Sequence, residues 1–270
     1  MRLSAEEAVE HRTVADRMLL ILDMVAATPG EIGLTELARR TGLKKATVHR
    51  LAADLVAHKM LERGGYGYRL GLHLFELGQK VPAPRRLRRS ALPYMTDLLA
   101  ATGEVVQLGV LDGTEIVYVE KLAGRHGASA PSIVGSRLPA YCSGLGKAIL
   151  AFSDDAVVER VLAAPMPART SATITDPTRF LAELRRIRES GVAYDREEGT
   201  AGILCVASAI VVDSYVGRDG HRAVAGLSLT GAAGRMQPTR LTSAVRTAAL
   251  SIGRSLGFPQ LRQSERWSPS

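Results

Sequence analysis

The sequence of 270 residues predicts an α+β protein made of two domains. Segments with apolar residues at helical spacing occupy the first third of the chain, whereas hairpin-linked strand patterns alternate with helices in the rest. A stretch rich in proline and arginine at 81–89 separates the two parts. With 46% hydrophobic and 23% charged residues, the composition is that of a folding chain and excludes extended disorder.

The first domain, residues 11–73, begins with three predicted helices. Apolar residues recur at helical spacing from Val14 to Val25, which predicts the first helix. A short helix follows over 34–40, with Thr35 as the expected N-cap and Gly42 as a left-handed stop. The third helix is expected from about Lys44 to His58. Its buried side should consist of Val48, Leu51, Ala52 and Leu55.

A predicted hairpin over residues 60–70 completes this domain, and Gly64 and Gly65 are expected to supply positive φ angles at its turn. Helix, short helix, tight turn, helix and hairpin are the order of a winged helix-turn-helix domain, with the helix-turn-helix at 34–53. Residues 1–90 hold 16 Lys and Arg against 10 Asp and Glu, which suggests a polyanionic partner. A solvated basic surface on a purely structural helical bundle is the alternative.

If the partner is DNA, the start of the third helix enters the major groove and meets base edges. Lysine and arginine there can donate to guanine, and an alanine methyl can contact thymine. The predicted DNA-contacting residues on this helix are Lys44, Lys45, Ala46, Thr47, His49 and Arg50. Arg63 and Arg69 on the wing are predicted to lie near phosphates or the minor groove.

Residues 74–90 are predicted as a linker and 91–260 as the second domain. Pro82 and Pro84 are expected to break helix continuity. We interpret the four arginines that follow as a surface charge run that starts a helix, with a second phosphate-contacting element as the alternative.

In the second domain, helices are predicted at 91–102, 143–151, 154–164, 177–190 and 238–256, and strands at 104–110, 115–122, 191–194, 205–212 and 221–229. This order implies an antiparallel sheet with helices packed on it.

Several segments resemble the IclR family of bacterial transcriptional regulators, over about residues 12–258. In the first domain they are Leu34-Thr35-Glu36-Leu37-Ala38, Thr47-Val48-His49-Arg50-Leu51, and Leu61-Glu62-Arg63 followed by Tyr68-Arg69-Leu70-Gly71. In the second domain they are Leu138-Pro139-Ala140-Tyr141-Cys142-Ser143-Gly144-Leu145-Gly146-Lys147-Ala148, Tyr194-Asp195-Arg196-Glu197-Glu198 and Gly202-Ile203-Leu204-Cys205-Val206-Ala207.

The resemblance implies a GAF-like, antiparallel-sheet effector-binding domain, joined to the winged helix-turn-helix domain by a linker helix. It implies homodimers, often paired into homotetramers, that bind double-stranded palindromic operator DNA. Repression is implied more often than activation. We expect a small organic or aromatic acid as effector. The implied effector pocket is lined by Gly144, Leu145, Asp195, Ile203, Cys205, Ser228 and Thr230.

Two features of the residues themselves agree with that pocket. Gly144 and Gly146 open a predicted helix, whose free backbone N–H groups favour an anion. Ser228 and Thr230 are two apart on a predicted strand, so their hydroxyls should face the same side. The alternative for each residue is an ordinary helix start or strand face.

The sequence offers weaker grounds for two other functions. An enzyme could use Cys205 as nucleophile with His221 and Asp213, but no motif supports this, and no catalytic residue is predicted. A metal sensor could use Cys142, Cys205, His73, His126 and His221, but no pair has ligand spacing, and neither a metal nor another cofactor is predicted.

The cellular setting is predicted to be the cytoplasm. The two cysteines exclude a disulfide framework, and the polar first ten residues do not resemble a secretory signal. The most apolar run, from Met18 to Ala27, contains Asp23 and is far shorter than the roughly 20 residues of a membrane span. No membrane partner is therefore expected.

Overall fold

The computed structural model describes residues 13–125, 132–213 and 221–257. The chain divides into two compact units, with the boundary between Arg85 and Arg86, inside the stretch predicted as a linker. The outermost residues of the two predicted domains, 11–12 and 258–260, lie outside the described residues. Among the described residues no helix is both long and apolar enough to cross a membrane.

The first unit is a winged helix-turn-helix. Its elements are α1 (Val14–Ala26), α2 (Leu34–Thr41), α3 (Lys45–Ala57), β1 (Leu61–Arg63), β2 (Tyr68–Leu70) and α4 (Leu72–Gln79). Thr13 caps α1 in a capping box with Asp16, in which each side chain binds the other's backbone N–H. The core joins the apolar sides of the three helices to the wing, through residues such as Ile21, Leu37, Val48, Leu51 and Leu61.

Two local predictions in this unit are wrong. Thr35 lies inside α2, and Gly33 is the N-cap without a side-chain hydrogen bond. At the wing, neither Gly64 nor Gly65 has a positive φ. In the loop between the strands, the Gly64 N–H donates to the Gly67 carbonyl at 2.9 Å, and the chain reverses there without a left-handed residue. Gly42 does end α2 in the left-handed conformation, with φ of 69°.

A long helix, α5 (Pro82–Thr102), replaces the predicted break at the prolines. Pro82 and Pro84 fall in its first turn, where backbone N–H groups have no intrahelical acceptor, so the missing N–H of proline costs nothing there. The arginine run therefore lies on a helix. Within the second unit, Arg86 donates to the Leu256 carbonyl at 2.8 Å, and Arg88 pairs with Glu120 at 2.8 Å.

The second unit is built on an antiparallel sheet, as predicted. Its strands are β3 (Val105–Asp112), β4 (Glu115–Leu122), β5 (Arg137–Pro139), β6 (Ala193–Arg196), β7 (Ile203–Asp213) and β8 (His221–Ala232), in the order β5-β4-β3-β8-β7-β6. The remaining helices are α6 (Gly144–Leu150), α7 (Asp155–Ala163), α8 (Pro177–Ser190) and α9 (Pro238–Gly257). Alternate residues of the strands enter two separate apolar cores, so helices cover both faces.

The predicted strands and helices of this unit form, with shifted ends. The turn at Asp112-Gly113 is present, and Gly113 has φ of 63°. Strand β6 begins two residues after its predicted start because Gly191 is the left-handed C-cap of α8. Helix α4 and strand β5 were not predicted, and both are short.

Candidate functional site

The amino-terminal end of α3 presents the residues predicted to read DNA. Its buried residues are those expected from the spacing. Lys44, Lys45, Ala46, His49 and Arg50 are exposed, and Thr47 is half-buried. The first turn contains no acidic residue, so the two lysines lie at the positive end of the helix dipole. This arrangement is unfavourable for the helix alone and favours a polyanion in front of it.

The wing places its two predicted arginines differently. The Arg63 guanidinium lies over the Tyr68 ring at 5.6 Å, and its Nη2 is 3.5 Å from His49 Nε2. The structure therefore brings Arg63 next to the reading helix. Arg69 is instead paired with Glu62 at 3.0 Å, with Glu31 3.9 Å away, so part of its charge is already neutralised.

The tip of the wing carries an aromatic residue that the sequence did not single out. Tyr66 is 93% exposed between two glycines. Its backbone N–H donates to Glu31 Oε2 at 2.8 Å, which holds the tip against the helical part of the same unit. A tyrosine between glycines is a weak signal in a sequence, because only the hairpin geometry puts it at the tip.

The second unit contains a cavity of about 180 Å³ between the start of α6, the sheet and the loop that follows β6. Six of the seven predicted effector residues line it: Gly144, Leu145, Asp195, Ile203, Cys205 and Thr230. Ser228 does not line the cavity, but it is fully buried behind it.

A buried glutamine connects Ser228 to the cavity. Gln107 lines the cavity from β3, and its Oε1 accepts hydrogen bonds from Ser228 at 3.2 Å and from Thr230 at 2.8 Å. The two hydroxyls thus face the same side, as predicted. Gln107 Nε2 donates to Ser132, another lining residue. The network orients the amide of Gln107, and its members come from parts of the chain more than a hundred residues apart.

The start of α6 approaches the sheet closely because of its glycines. A Cβ on Gly144 would lie 2.9 Å from Cys205 Sγ, and one on Gly146 would lie 2.1 Å from the Ala140 carbonyl oxygen. One expectation is wrong here: the Gly146 N–H is not free for an anion, since it donates to Ser143 Oγ at 3.0 Å. The serine hydroxyl already caps this helix.

Asp195 is held in a defined orientation at the cavity. Its Oδ1 accepts from the backbone N–H of Glu198 at 2.7 Å and of Gly199 at 3.4 Å. Burial raises the pKa of this carboxyl to about 6, although the hydrogen bond from Glu198 opposes the shift. The side chain can therefore change charge near neutral pH.

An ion pair lies behind the Asp195 loop and was not predicted. Lys147 on α6 has no exposed side-chain surface, and its ammonium donates to Glu198 Oε1 at 2.5 Å and to the Tyr194 carbonyl at 2.7 Å. Glu183 on α8 lies 3.8 Å from the same ammonium. The pair fastens the loop after β6 to α6 and so shapes one side of the cavity.

The geometry argues against Cys205 as a catalytic nucleophile. Burial raises the pKa of Cys205 to about 12, so the thiol stays protonated at neutral pH and is a poor nucleophile. The side chains of Asp213 and His221 lie outside the described residues. Within residues 13–125, 132–213 and 221–257, no group of three or more His, Cys, Asp or Glu residues could hold a metal ion. His126 lies outside those ranges.

A basic winged helix-turn-helix and a separate sheet domain that encloses a small-molecule cavity define a class: ligand-binding transcriptional regulators. The family described as Bacterial transcriptional regulator IclR C-terminal matches residues 79–254, and the IclR helix-turn-helix domain matches residues 14–65. The chain belongs to the IclR family of bacterial transcriptional regulators.

Individual relatives agree with this assignment. The HTH-type transcriptional regulator XynR of Escherichia coli is 32% identical over 250 residues, which cover 90% of this chain and 97% of XynR. The Transcriptional repressor IclR of the same species is 30% identical over 232 residues, or 84% of this chain and 82% of the repressor. These relatives are named as regulators and not as enzymes.

A solved structure extends the likeness to the whole fold. It is that of an IclR homolog from Microbacterium hydrocarbonoxydans complexed with 4-hydroxybenzoate. The TM-score is 0.80 at 27% identity, and the match covers 90% of this chain and 99% of that one.

Proposed function

We propose that the protein represses transcription by binding a palindromic operator as a dimer or a dimer of dimers, and that a small organic acid controls this binding. The observation that carries the proposal is the exposed basic start of α3, whose opposite side is buried. Arg50 and the two lysines would enter the major groove, and Arg63 would support them from the wing. In this proposal the protein acts in the cytoplasm, where bacterial DNA lies.

Self-association is supported by apolar surface on two helices of the first unit. Leu72, Phe75 and Leu77 on α4, and Val14 and Leu19 on α1, are all exposed. Leu72 and Phe75 are one turn apart on α4, so their side chains lie on the same side of this helix and offer an apolar surface to a partner copy. A twofold dimer would place two copies of α3 about 34 Å apart, one helical turn of DNA, and would require an inverted repeat.

Control by an acid is supported by the cavity in the second unit, which has cationic and hydroxyl groups on its walls. The relative complexed with 4-hydroxybenzoate has the same fold. An effector can change DNA affinity only by binding the DNA-competent and incompetent states differently. The proposed effector therefore shifts the population of dimers whose two α3 helices match the operator spacing.

The test begins with footprinting of the purified full-length protein on the DNA upstream of its own gene. Arg50→Ala should weaken binding to the protected duplex by about 5- to 100-fold, the range of one good base contact. Arg160→Ala is the matched control, because Arg160 is an exposed arginine on α7 in the second unit. An Arg50→Ala protein that keeps full affinity, or a footprint without an inverted repeat, would contradict the proposal.

A further inference from the structure

Arg169, which the sequence did not single out, lines the cavity. Its Nε donates to the Gly199 carbonyl at 3.3 Å. The structure shows no partner for its two terminal nitrogens among the described residues. Arg137 also lines the cavity, but its terminal nitrogens are taken by Asp112 at 2.5 Å and Glu115 at 3.4 Å. Arg169 is therefore the lining arginine that can still pair with an anion.

The position of Arg169 is fixed by hydrogen bonds around it. Its backbone N–H donates to Thr173 Oγ1 at 3.0 Å. Thr173 and Thr170 in turn donate to the carbonyls of Glu198 and Glu197, at 2.7 and 2.6 Å. The segment is thus tied to the loop that follows β6, and an arginine held in this way loses less freedom when it binds a ligand.

A second donor on the wall is Tyr118. Only 7% of this residue is exposed, it lines the cavity, and its hydroxyl has no hydrogen-bond partner among the described residues. The hydroxyl is therefore available to donate to a ligand in the cavity. Burial raises the pKa of Tyr118, so the phenol remains a neutral donor.

The two donors lie on the wall of the same small cavity. Burial raises the pKa of Cys142 to about 12, and the positive charge of Arg169 acts against this shift. The Cys142 sulfur in turn contributes to the raised pKa of Tyr118, after burial, Cys205 and Asp195. A guanidinium and a phenol on the wall of one cavity of about 180 Å³ are positioned to bind one anionic group.

The rest of the cavity sets the size and nature of the ligand. Its volume is about 180 Å³, and a protein cavity of about 150 Å³ accommodates benzene. Leu138, Leu145 and Ile203 supply apolar wall. One aromatic ring with a small anionic substituent fits, whereas a two-ring compound does not.

We propose that Arg169 and Tyr118 together bind the carboxylate of a single-ring aromatic acid, with the ring against Leu138, Leu145 and Ile203. This inference rests on the proposed control by an acid, and it names the two residues that distinguish an acid from its neutral analogue. Asp195 lines the same cavity, and the two backbone N–H groups that donate to its Oδ1 offset part of its repulsion of an anion.

The test uses the full-length protein and measures affinities by titration calorimetry. The probes are benzoate and 4-hydroxybenzoate, each compared with its neutral amide, benzamide and 4-hydroxybenzamide. Wild-type protein should bind at least one acid about 10-fold or more tightly than its amide. Arg169→Gln should weaken binding of that acid by about 10- to 100-fold, as expected for a charged hydrogen bond, and leave the amide unchanged.

Tyr118→Phe should weaken acid binding by about 5-fold, since it removes one neutral hydrogen bond. Arg179→Gln, the same change at an exposed arginine of α8, should behave as wild type. Equal affinity for acids and amides, an unchanged Arg169→Gln variant, or no binding of either acid would overturn this inference. The footprint is measured separately, so operator binding would survive such a result and the DNA-binding proposal would stand.

Discussion

The Lys147→Met substitution removes a positive charge from the interior of the second unit. Lys147 has no exposed side-chain surface, and its partner Glu198 is buried as well. Apart from the ammonium, the carboxylate accepts a long hydrogen bond from the Arg196 backbone N–H at 3.5 Å, and its Oε2 has no hydrogen-bond partner among the described residues. The substitution therefore leaves a carboxylate that is buried and uncompensated.

Breaking a buried ion pair on one side costs about 3–5 kcal/mol. In a domain of this size each kcal/mol lowers the melting temperature by about 2–4 °C, so we expect a decrease of about 6–20 °C. The double variant Lys147→Met/Glu198→Gln should recover more than half of the loss, because neither member of the ion pair then carries a charge. Methionine fills a similar volume, which keeps the packing effect small.

The measurement is thermal unfolding of the full-length protein followed by circular dichroism. Arg160→Met serves as the control, since it removes a charge from an exposed site of the same unit. A Lys147→Met protein that melts within about 2 °C of wild type would refute the reasoning, because a loss of less than about 1 kcal/mol is that of a surface pair. A double variant no more stable than the single one would also refute it.

Three further predictions concern the site residues. Asp195 has a pKa of about 6 when folded against 3.8 in the unperturbed state, so its contribution to stability is present below pH 4 and is lost as the pH rises through 6. Asp195→Asn should therefore gain up to about 3 kcal/mol relative to wild type between pH 4 and pH 7.5, measured by urea unfolding. Gly146→Ala should lower the melting temperature by several degrees and weaken acid binding, because its Cβ would lie 2.1 Å from the Ala140 oxygen. Lys44→Gln/Lys45→Gln should reduce the salt dependence of operator binding by about two units of slope, measured by fluorescence anisotropy.

Each of these has a result that would contradict it. A parallel pH profile for Asp195→Asn and wild type would mean that the carboxyl titrates alike in the folded and unfolded states. A Gly146→Ala protein with unchanged stability and ligand affinity would show that the start of α6 can move. An unchanged salt slope would mean that neither Lys44 nor Lys45 contacts a phosphate.

The parts that were predictable from the sequence depend on neighbours within a few residues. The exposed and buried sides of α3 follow from helical spacing, and the buried Val48, Leu51 and Leu55 agree with it. The left-handed stop at Gly42 is equally local. The lining residues of the cavity were predicted in another way, from the resemblance of this sequence to the IclR family. That route located Gly144 and Asp195 but not the side chains around them.

The errors and omissions have a common physical cause, which is that distant segments supply the contacts. Arg169 meets Gly199 across 30 residues, Lys147 meets Glu198 across 51, and Gln107 meets Thr230 across 123. No periodicity or spacing encodes such pairs, because the sheet order β3-β8-β7-β6 brings them together only after folding. Local patterns thus predicted the exposed basic start of α3 and the type of fold, while the packing of the sheet established which donors face the cavity and which are already used by the protein.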